Sequence, residues 1–199
     1  MERRTLLEKA LFSASTDRPV AEYLNDLSLE YGDLKGTVLD LGSGIGELFS
    51  REASLVGIKV VSVNPKLAVK AEREKRKDVI ENYGKIRKHD QKRSIASLAQ
   101  ALPFPDNTFD TVVSLYAVPL WIDQNKKSFN QVFCEIHRIL KPRGNAYLGP
   151  AGSRRMLKTV LNNLNFQYEI RLSRSDEDAK KRGQKLVNPS YNIHIFKGF

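Results

Sequence analysis

The sequence predicts an α/β fold in which a mostly parallel sheet carries helices on both faces. A short apolar run at residues 37–41 passes through a glycine-rich turn into a second apolar segment, which is typical of a strand, a tight turn and a helix. A β-rich run at 58–63 then closes a β–α–β unit, whose crossover makes the two strands parallel. A third such run, at 109–115, precedes strong helical periodicity at 128–140.

Length and composition predict one basic domain. The chain has 199 residues, of which 41% are hydrophobic, and this favours a single domain over residues 1–199. It has a net charge of +10 and no apolar run near the roughly 20 residues that span a bilayer, so we expect a cytoplasmic protein without a membrane partner. The single cysteine, Cys134, lies close to Phe133 and Ile136 and is expected to be buried.

The N-terminal residues 1–31 are predicted to form a helical cover over a core at residues 37–199. Apolar positions recur at helical spacing on either side of a break at residues 13–19, which predicts two short helices. Thr16 or Asp17 is the expected N-cap of the second helix.

The turn within residues 37–48 organises the rest of the chain. Its glycines allow backbone conformations and a close ligand approach that a side chain would prevent, and the helix after it presents N–H groups and a positive dipole end. A dinucleotide fingerprint would place its third glycine where this chain has Glu47, and that spacing argues against NAD.

The G-x-G-x-G spacing, with Asp40 before it, resembles motif I of the class I S-adenosylmethionine-dependent methyltransferases. The resemblance implies S-adenosylmethionine as the cofactor. It also implies that the turn lies under the methionine part of the cofactor. The residues implied to bind it here are Asp40, Gly42, Ser43, Gly44 and Gly46. An ordinary β–α turn with helix-packing glycines is the alternative.

The end of the second strand departs from the family pattern. The family usually carries an acid there that accepts both ribose hydroxyls of the cofactor, whereas this chain has Asn64. An amide offers one carbonyl acceptor and no charge, so the implied contact is weaker. Pro65, directly after it, fits the first turn of a helix.

The third strand has two possible positions. In the first, residues 85–89 form the strand, and the resemblance implies that Asp90 contacts the adenine amino group with Gln91 beside the ring. In the second, residues 94–98 form the strand, and Leu98 stands where the acid is expected. We favour the first, because polar strand residues are tolerated at a sheet edge, where this strand is expected.

Residues 101–114 read ALPFPDNTFDTVVS and resemble the LPFPD-x-SFD-x-V signature of a large group of small-molecule methyltransferases. The β-rich run that follows the prolines is typical of a central parallel strand. Ligands on open α/β sheets bind at the carboxyl ends of strands, so Ser114, Leu115 and Tyr116 are predicted to open onto the cofactor site. Candidate walls of the acceptor pocket are Tyr23, Tyr116 and Trp121. Core packing is the alternative for the last two.

The remaining residues complete the predicted sheet. The stretch EIHRILKPRGNAYLG resembles the family pattern E-x-x-R-hydrophobic-L-K-P-G-G, in which we interpret Glu135 and Arg138 as structural. A helix is predicted at 152–165, and strands at 166–172 and 191–199. The polar stretch at 173–189 has the composition of a loop. The resemblance then implies a Rossmann-like, doubly wound seven-stranded sheet with a C-terminal antiparallel hairpin.

The resemblance implies methyl transfer, and the LPFPD-type signature favours a small-molecule acceptor over RNA. A sulfonium is an activated methyl donor, so the reaction needs alignment and water exclusion rather than a general base, and we identify no catalytic residue. The three histidines lie in no ligand-spaced cluster, so no metal site is predicted.

The alternative function is a methyltransferase-like module without catalysis that binds nucleic acid or protein. Its surface would be the basic segment 66–93, which begins at Lys66 and ends at Arg93. The segment contains eleven Lys or Arg and five Asp or Glu. A solvated helix face is the simpler interpretation of such a charge run, because no aromatic residue is interleaved for base stacking.

Overall fold

The computed structural model describes five stretches of the chain, which together form one sheet covered by helices. The described residues are 17–68, 93–120, 126–152, 154–164 and 166–198.

The seven strands alternate with helices along most of the chain. The strands are β1 Thr37–Leu41, β2 Lys59–Val63, β3 Ser94–Ile95, β4 Phe109–Leu115, β5 Leu140–Ala151, β6 Gln167–Leu172 and β7 Tyr191–Phe196. The α-helices of the described residues are α1 Val20–Asp26, α2 Leu48–Leu55, α3 Lys126–Ile139, α4 Arg154–Asn163 and α5 Arg174–Lys181. Short 3₁₀ helices lie at Tyr31–Asp33 and Pro65–Ala68.

The strands run in the order β3-β2-β1-β4-β5-β7-β6. The first five are parallel to one another, and β7 lies antiparallel between β5 and β6. The predicted seven-stranded, mostly parallel sheet with a C-terminal antiparallel hairpin is therefore confirmed. Asp40 of β1 pairs with Ser62 of β2 and Val113 of β4, so the carboxyl ends of these three strands lie side by side at the same end of the sheet.

Two apolar clusters cover the two faces of the sheet. Helices α3 and α4 contribute Phe133 and Leu157 to one cluster, and both side chains are fully buried. Helices α1 and α2 cover the other face, where Phe49 is buried. Successive strand residues point to opposite faces, so Val38 belongs to the second cluster and Leu39 to the first.

The third strand is the main correction to the predicted fold. The strand that pairs with β2 is Ser94–Ile95, so the favoured position at 85–89 is wrong. The alternative position, 94–98, begins at the residue where the observed strand begins. Two residues are too few to show a period-two pattern, which explains the error. Residues 85–89 themselves lie outside the described part of the chain.

The polar stretch at 173–189, predicted to be a loop, contains helix α5. The Ser173 hydroxyl accepts a hydrogen bond from the Asp176 amide at its start. Acidic residues lie in the first turn and basic residues in the last, where each sign interacts favourably with the helix dipole. No residue of α5 is buried, so the sequence carries no apolar stripe that would reveal it.

Helix α3 also corrects the expected burial of Cys134, which is exposed. Its neighbours Val132, Phe133 and Ile136 take the core-facing positions of the helix and leave Cys134 on the solvent side. Among the described helices, none has the length and apolar character needed to cross a membrane.

Candidate functional site

The glycine turn joins the end of β1 to the start of α2. Gly42 has a φ of +93°, and a Cβ there would overlap the Cβ of Ala117, so only glycine fits. The Gly42 amide donates to the Val63 carbonyl at 2.8 Å, which ties the turn to the end of β2. The Ser43 side chain is buried and its hydroxyl donates to the Gly44 carbonyl at 3.2 Å. The turn is thus held by a backbone hydrogen bond to β2 and by a side-chain hydrogen bond within it.

Asp40 is fully buried at the end of β1. Its Oδ1 accepts a hydrogen bond from the Tyr23 hydroxyl at 2.8 Å, and its Oδ2 has no hydrogen-bond partner among the described residues. Burial raises the pKa of Asp40 to about 8; the Tyr23 hydrogen bond lowers it, and the negative charges of Glu47 and Asp17 raise it further. The buried acid is therefore mostly protonated at neutral pH.

The Asp17 side chain contacts the backbone amides at the start of α2 and does not cap α1. Its Oδ1 accepts from the Gly46 amide at 2.8 Å, and the amides of Glu47 and Leu48 also hydrogen-bond to its carboxylate. Burial raises the pKa of Asp17, and these backbone hydrogen bonds lower it. The predicted capping role for Asp17 is wrong for α1, which has Pro19 as N-cap and no side-chain cap.

Asn64 is buried directly after β2. Its side-chain carbonyl accepts from the Lys66 backbone amide at 3.0 Å, and the Asn64 backbone amide donates to the Ile95 carbonyl at 3.0 Å. The acceptor expected to meet a ribose thus also starts the 3₁₀ helix Pro65–Ala68. A carbonyl oxygen has two lone pairs, so one contact is still available to it.

The end of β4 lies beside the turn, as the sequence predicts. The Ser114 hydroxyl donates to the Leu41 carbonyl at 2.6 Å and accepts from the Val118 amide at 2.9 Å, so it locks β4 to β1. Leu115 is buried in the α1–α2 cluster. Tyr116 follows with a φ of +53°, a left-handed conformation that is costly for a bulky residue.

Helix α1 and the residues before it hold Tyr116 in this position. The Arg18 guanidinium lies over the Tyr116 ring, 4.2 Å from its centroid, and the Tyr116 hydroxyl donates to Asp26 at 3.1 Å. Tyr23, predicted as an acceptor wall, is only 2% exposed and stacks on Phe49. The predicted cover therefore reaches both the acid of β1 and the end of β4.

Three predicted site residues lie outside the described part of the chain: Asp90, Gln91 and Trp121. Most of the basic segment 66–93 does so too. Its first residue, Lys66, is only 6% exposed, which is not the solvated position expected of it. The roles of these residues stay predictions.

Sequence reasoning missed three charged residues at the turn. Glu47 is fully buried and has a φ of +56°, at the position where the dinucleotide fingerprint has glycine. Arg51 is buried and donates from Nε to the Gly46 carbonyl at 2.7 Å. Asp17 is 29 positions from the amide that it accepts from. The departure from glycine at position 47 was a visible signal, whereas the other two contacts depend on tertiary packing.

A cavity of about 150 Å³ lies away from the turn. It is bounded by the residues after α1, from Leu27 to Leu29, and by β5, β6 and β7, including Tyr147 and His194. None of the turn residues lines it. It is a separate surface feature and not the crevice at the strand ends.

The family model described as "Methyltransferase domain" matches residues 39–148, more than half of the chain. The chain belongs to this family. The match begins within β1 and ends within β5, and it includes the glycine turn, the third strand and the LPFPD-type stretch. S-adenosylmethionine is therefore the cofactor, and the fold is that of an S-adenosylmethionine-dependent methyltransferase.

Curated relatives match about half of this chain. Ubiquinone/menaquinone biosynthesis C-methyltransferase UbiE of Escherichia coli is 33% identical over 112 residues, and the protein of that name from Shigella boydii matches equally. The match covers 54% of this chain and 39% of each relative. The chain thus spans well under half of the length of these relatives.

Solved structures share the fold. A protein from Pyrococcus horikoshii superposes with a TM-score of 0.58 at 20% identity, covering 88% of each chain. An S-adenosylmethionine-dependent methyltransferase from Methanosarcina mazei gives 0.56 at 15% identity, covering 92% of this chain and 100% of that one. One from Archaeoglobus fulgidus gives 0.57 at 18% identity, covering 83% and 89%.

The residues at the turn fit this cofactor. S-adenosylmethionine carries a sulfonium and an ammonium, and the buried Oδ2 of Asp40 is an acceptor that no described group satisfies. The carboxylates of Asp40 and Glu47 lie close enough to influence each other. A cationic ligand would compensate this concentration of acids.

Proposed function

We propose that this chain transfers the methyl group of S-adenosylmethionine to a small-molecule acceptor at the carboxyl ends of β1, β2 and β4. The observation that carries the proposal is the buried Asp40 Oδ2, for which the described residues supply no donor. A buried acceptor of this kind costs free energy until a donor reaches it. An ammonium group on the cofactor would supply that donor together with the missing positive charge.

The residues around the turn have distinct roles in this proposal. Asp40 accepts from the ammonium, the amides at the start of α2 donate to the carboxylate, and Asn64 accepts from a ribose hydroxyl. When bound, S-adenosylmethionine supplies a methyl group that its sulfonium has already activated. The protein then has to align an acceptor and exclude water, and α1 serves the second purpose by covering the turn.

The acceptor side of the site is proposed to involve Tyr116 and Trp121. Support for a small molecule comes from the LPFPD-type signature and from family membership. The 33% identity to UbiE extends over 112 residues, which is 54% of this chain and 39% of UbiE. This match does not assign the methyl acceptor of UbiE to this chain. We assign no catalytic residue.

Calorimetric titration with S-adenosylhomocysteine tests the cofactor site. Asp40→Asn keeps the shape of the side chain but cannot ionise when the ammonium binds, and we expect the affinity to fall about tenfold or more. Asp110→Asn is the matched control, since Asp110 bonds the Thr37 amide and Lys141 at the opposite ends of β1 and β4. Its affinity should equal that of the wild type.

Two results would overturn the proposal at different levels. Equal affinity of Asp40→Asn and wild type would remove Asp40 from the site. A folded wild-type protein that binds neither S-adenosylhomocysteine nor S-adenosylmethionine would remove methyl transfer altogether. In that case binding of single-stranded RNA should be measured at several salt concentrations. If the basic segment 66–93 contacts phosphates, the affinity for RNA should fall steeply as the salt concentration rises.

A further inference from the structure

The amides at the start of α2 already hold a carboxylate from the protein itself. Asp17 accepts from the Gly46 amide at 2.8 Å and also from the amides of Glu47 and Leu48. These N–H groups have no partner within the helix, and they lie at its positive dipole end. Glu47 is the N-cap of α2 and its side chain makes no capping hydrogen bond. Asp17 therefore fills the anion-binding position of the turn.

A second observation places a cation-binding position next to this one. Asp40 ends β1, only a few residues before the same amides, and its buried Oδ2 lacks a donor among the described residues. Its Oδ1 is bonded to Tyr23, which follows Asp17 on the same N-terminal segment. The turn thus offers donors for a carboxylate beside an acceptor for an ammonium. An α-amino acid group carries both charges.

Asp17 can leave the amides without displacing the rest of the cover. It precedes α1, whose first residue, Val20, donates from its amide to Glu52 on α2 at 2.7 Å. Tyr23 stacks on Phe49 with the ring centroids 4.2 Å apart. These contacts hold α1 on α2 independently of Asp17. A rotation of one half-buried side chain would then expose the three amides.

We propose that Asp17 is an internal competitor for the carboxylate of the cofactor and thereby sets the affinity of the site for nucleosides that carry an amino acid group. This inference rests on the proposed function. The competition is selective, because a ligand without the amino acid group does not need the three amides. Asp17 therefore lowers affinity for the cofactor and its product but not for an adenosine thioether that lacks that group.

The test compares two probes, S-adenosylhomocysteine and 5′-methylthioadenosine, by calorimetry on wild type and Asp17→Ala. The measured quantity is the ratio of their affinities, which cancels effects common to both ligands. We expect the ratio to rise about fivefold in favour of S-adenosylhomocysteine in Asp17→Ala, the effect typical of one capping carboxylate. Asp17→Asn, which keeps an uncharged acceptor, should give a smaller rise.

Glu52→Ala is the matched control, because it loosens α1 from α2 and leaves Asp17 on the amides. It should change the affinity for both probes equally and leave the ratio unchanged. An unchanged or lower ratio in Asp17→Ala would overturn the competitor role while wild-type binding still supports the proposed function. A wild-type protein that binds neither probe would overturn the proposed function and this inference together.

Discussion

The glycine turn carries buried acidic side chains, which lower the free energy of unfolding unless a partner compensates them. Asp40 and Glu47 are both fully buried, and the negative charges of Glu47 and Asp17 raise the pKa of Asp40 beyond what burial alone does. Replacing such groups by apolar residues often stabilises a protein, so their presence points to a ligand and not to the fold. The hydrogen bond from the Tyr23 hydroxyl reduces the free-energy cost of ionising Asp40, since it lowers the pKa of that carboxyl.

Tyr23→Phe measures that contact. The ring and its stack on Phe49 are kept, but Asp40 loses its hydrogen bond, and we expect the free energy of unfolding to fall by about 1–3 kcal/mol. The loss should be larger at pH 9 than at pH 6, because the hydrogen bond stabilises the ionised acid and Asp40 ionises near pH 8. Urea unfolding at the two pH values checks this.

Tyr116→Phe is the control for Tyr23→Phe. It removes a hydroxyl that donates at 3.1 Å to the partly exposed Asp26, so the loss should be below about 1 kcal/mol at both pH values. Equal losses for Tyr23→Phe at pH 6 and pH 9 would contradict the assignment of its hydrogen bond to ionised Asp40.

At the scale of elements, the two ends of β4 serve different purposes. Its carboxyl end is locked to β1 by Ser114 and leads into the strained Tyr116. Its amino end is held by the LPFPD-type loop, which Arg138 of α3 fastens in place. The guanidinium donates to the carbonyls of Leu102 and Phe104 and to the carboxylates of Glu135 and Asp106, at 2.7–3.0 Å. The two sequence signatures therefore meet in one contact.

Arg138→Lys should lower the free energy of unfolding by about 1–3 kcal/mol. A lysine supplies three donors from one point and cannot reproduce the planar fork that reaches both carbonyls and both carboxylates. Affinity for S-adenosylhomocysteine should stay unchanged, because this loop precedes β4 at the end of the sheet opposite the glycine turn. Urea unfolding and calorimetry measure the two effects.

Arg171→Lys is the comparison, since Arg171 pairs with Glu169 in the open, with 62% of its side chain exposed. Its loss should stay within about 0.5 kcal/mol. If Arg138→Lys were equally mild, the loop would be held by its own backbone and not by Arg138.

The elements also show which parts of the fold can be predicted from sequence. β1, the glycine turn and β4 were predictable because a buried parallel strand needs a run of apolar residues and the turn needs glycine at fixed positions. The strand Ser94–Ile95 was misplaced because its pairing with β2 involves two residues only. Helix α5 was missed because its stability comes from its cap and its terminal charges, without an apolar face. The contact of Asp17 with the turn links distant positions that no local pattern connects.

At the scale of the whole molecule, two titratable groups on different strands of the sheet, the half-buried His194 and the fully buried Asp40, affect stability in opposite directions. His194 on β7 lies against the rings of Tyr147 and Phe196, and its Nε2 is 3.0 Å from the Asn145 Oδ1. Burial lowers the pKa of His194 to about 4. Asp40 on β1 has its pKa raised by burial to about 8. Neither value is visible in the sequence, since both result from packing.

The signs of the two contributions to stability follow from these pKa values. His194 binds a proton more readily in the unfolded chain, so its contribution is complete above about pH 6.5 and is lost as the pH falls toward 4. Asp40 binds a proton more readily in the folded protein, so its contribution is lost as the pH rises from about 4 to about 8. The two oppose each other up to about pH 6.5, and above it Asp40 acts without His194.

We therefore expect the free energy of unfolding to fall by about 2 kcal/mol between pH 6.5 and pH 8, at about 1.4 kcal/mol for each pH unit. Asp40→Asn should remove this decline, because the isosteric amide does not titrate. His194→Phe keeps an aromatic ring between Tyr147 and Phe196. Its free energy of unfolding should already be falling at pH 5, because no histidine opposes the titration of Asp40 there. Urea unfolding from pH 5 to pH 9 checks both variants, and an undiminished decline in Asp40→Asn would assign the titration to another group.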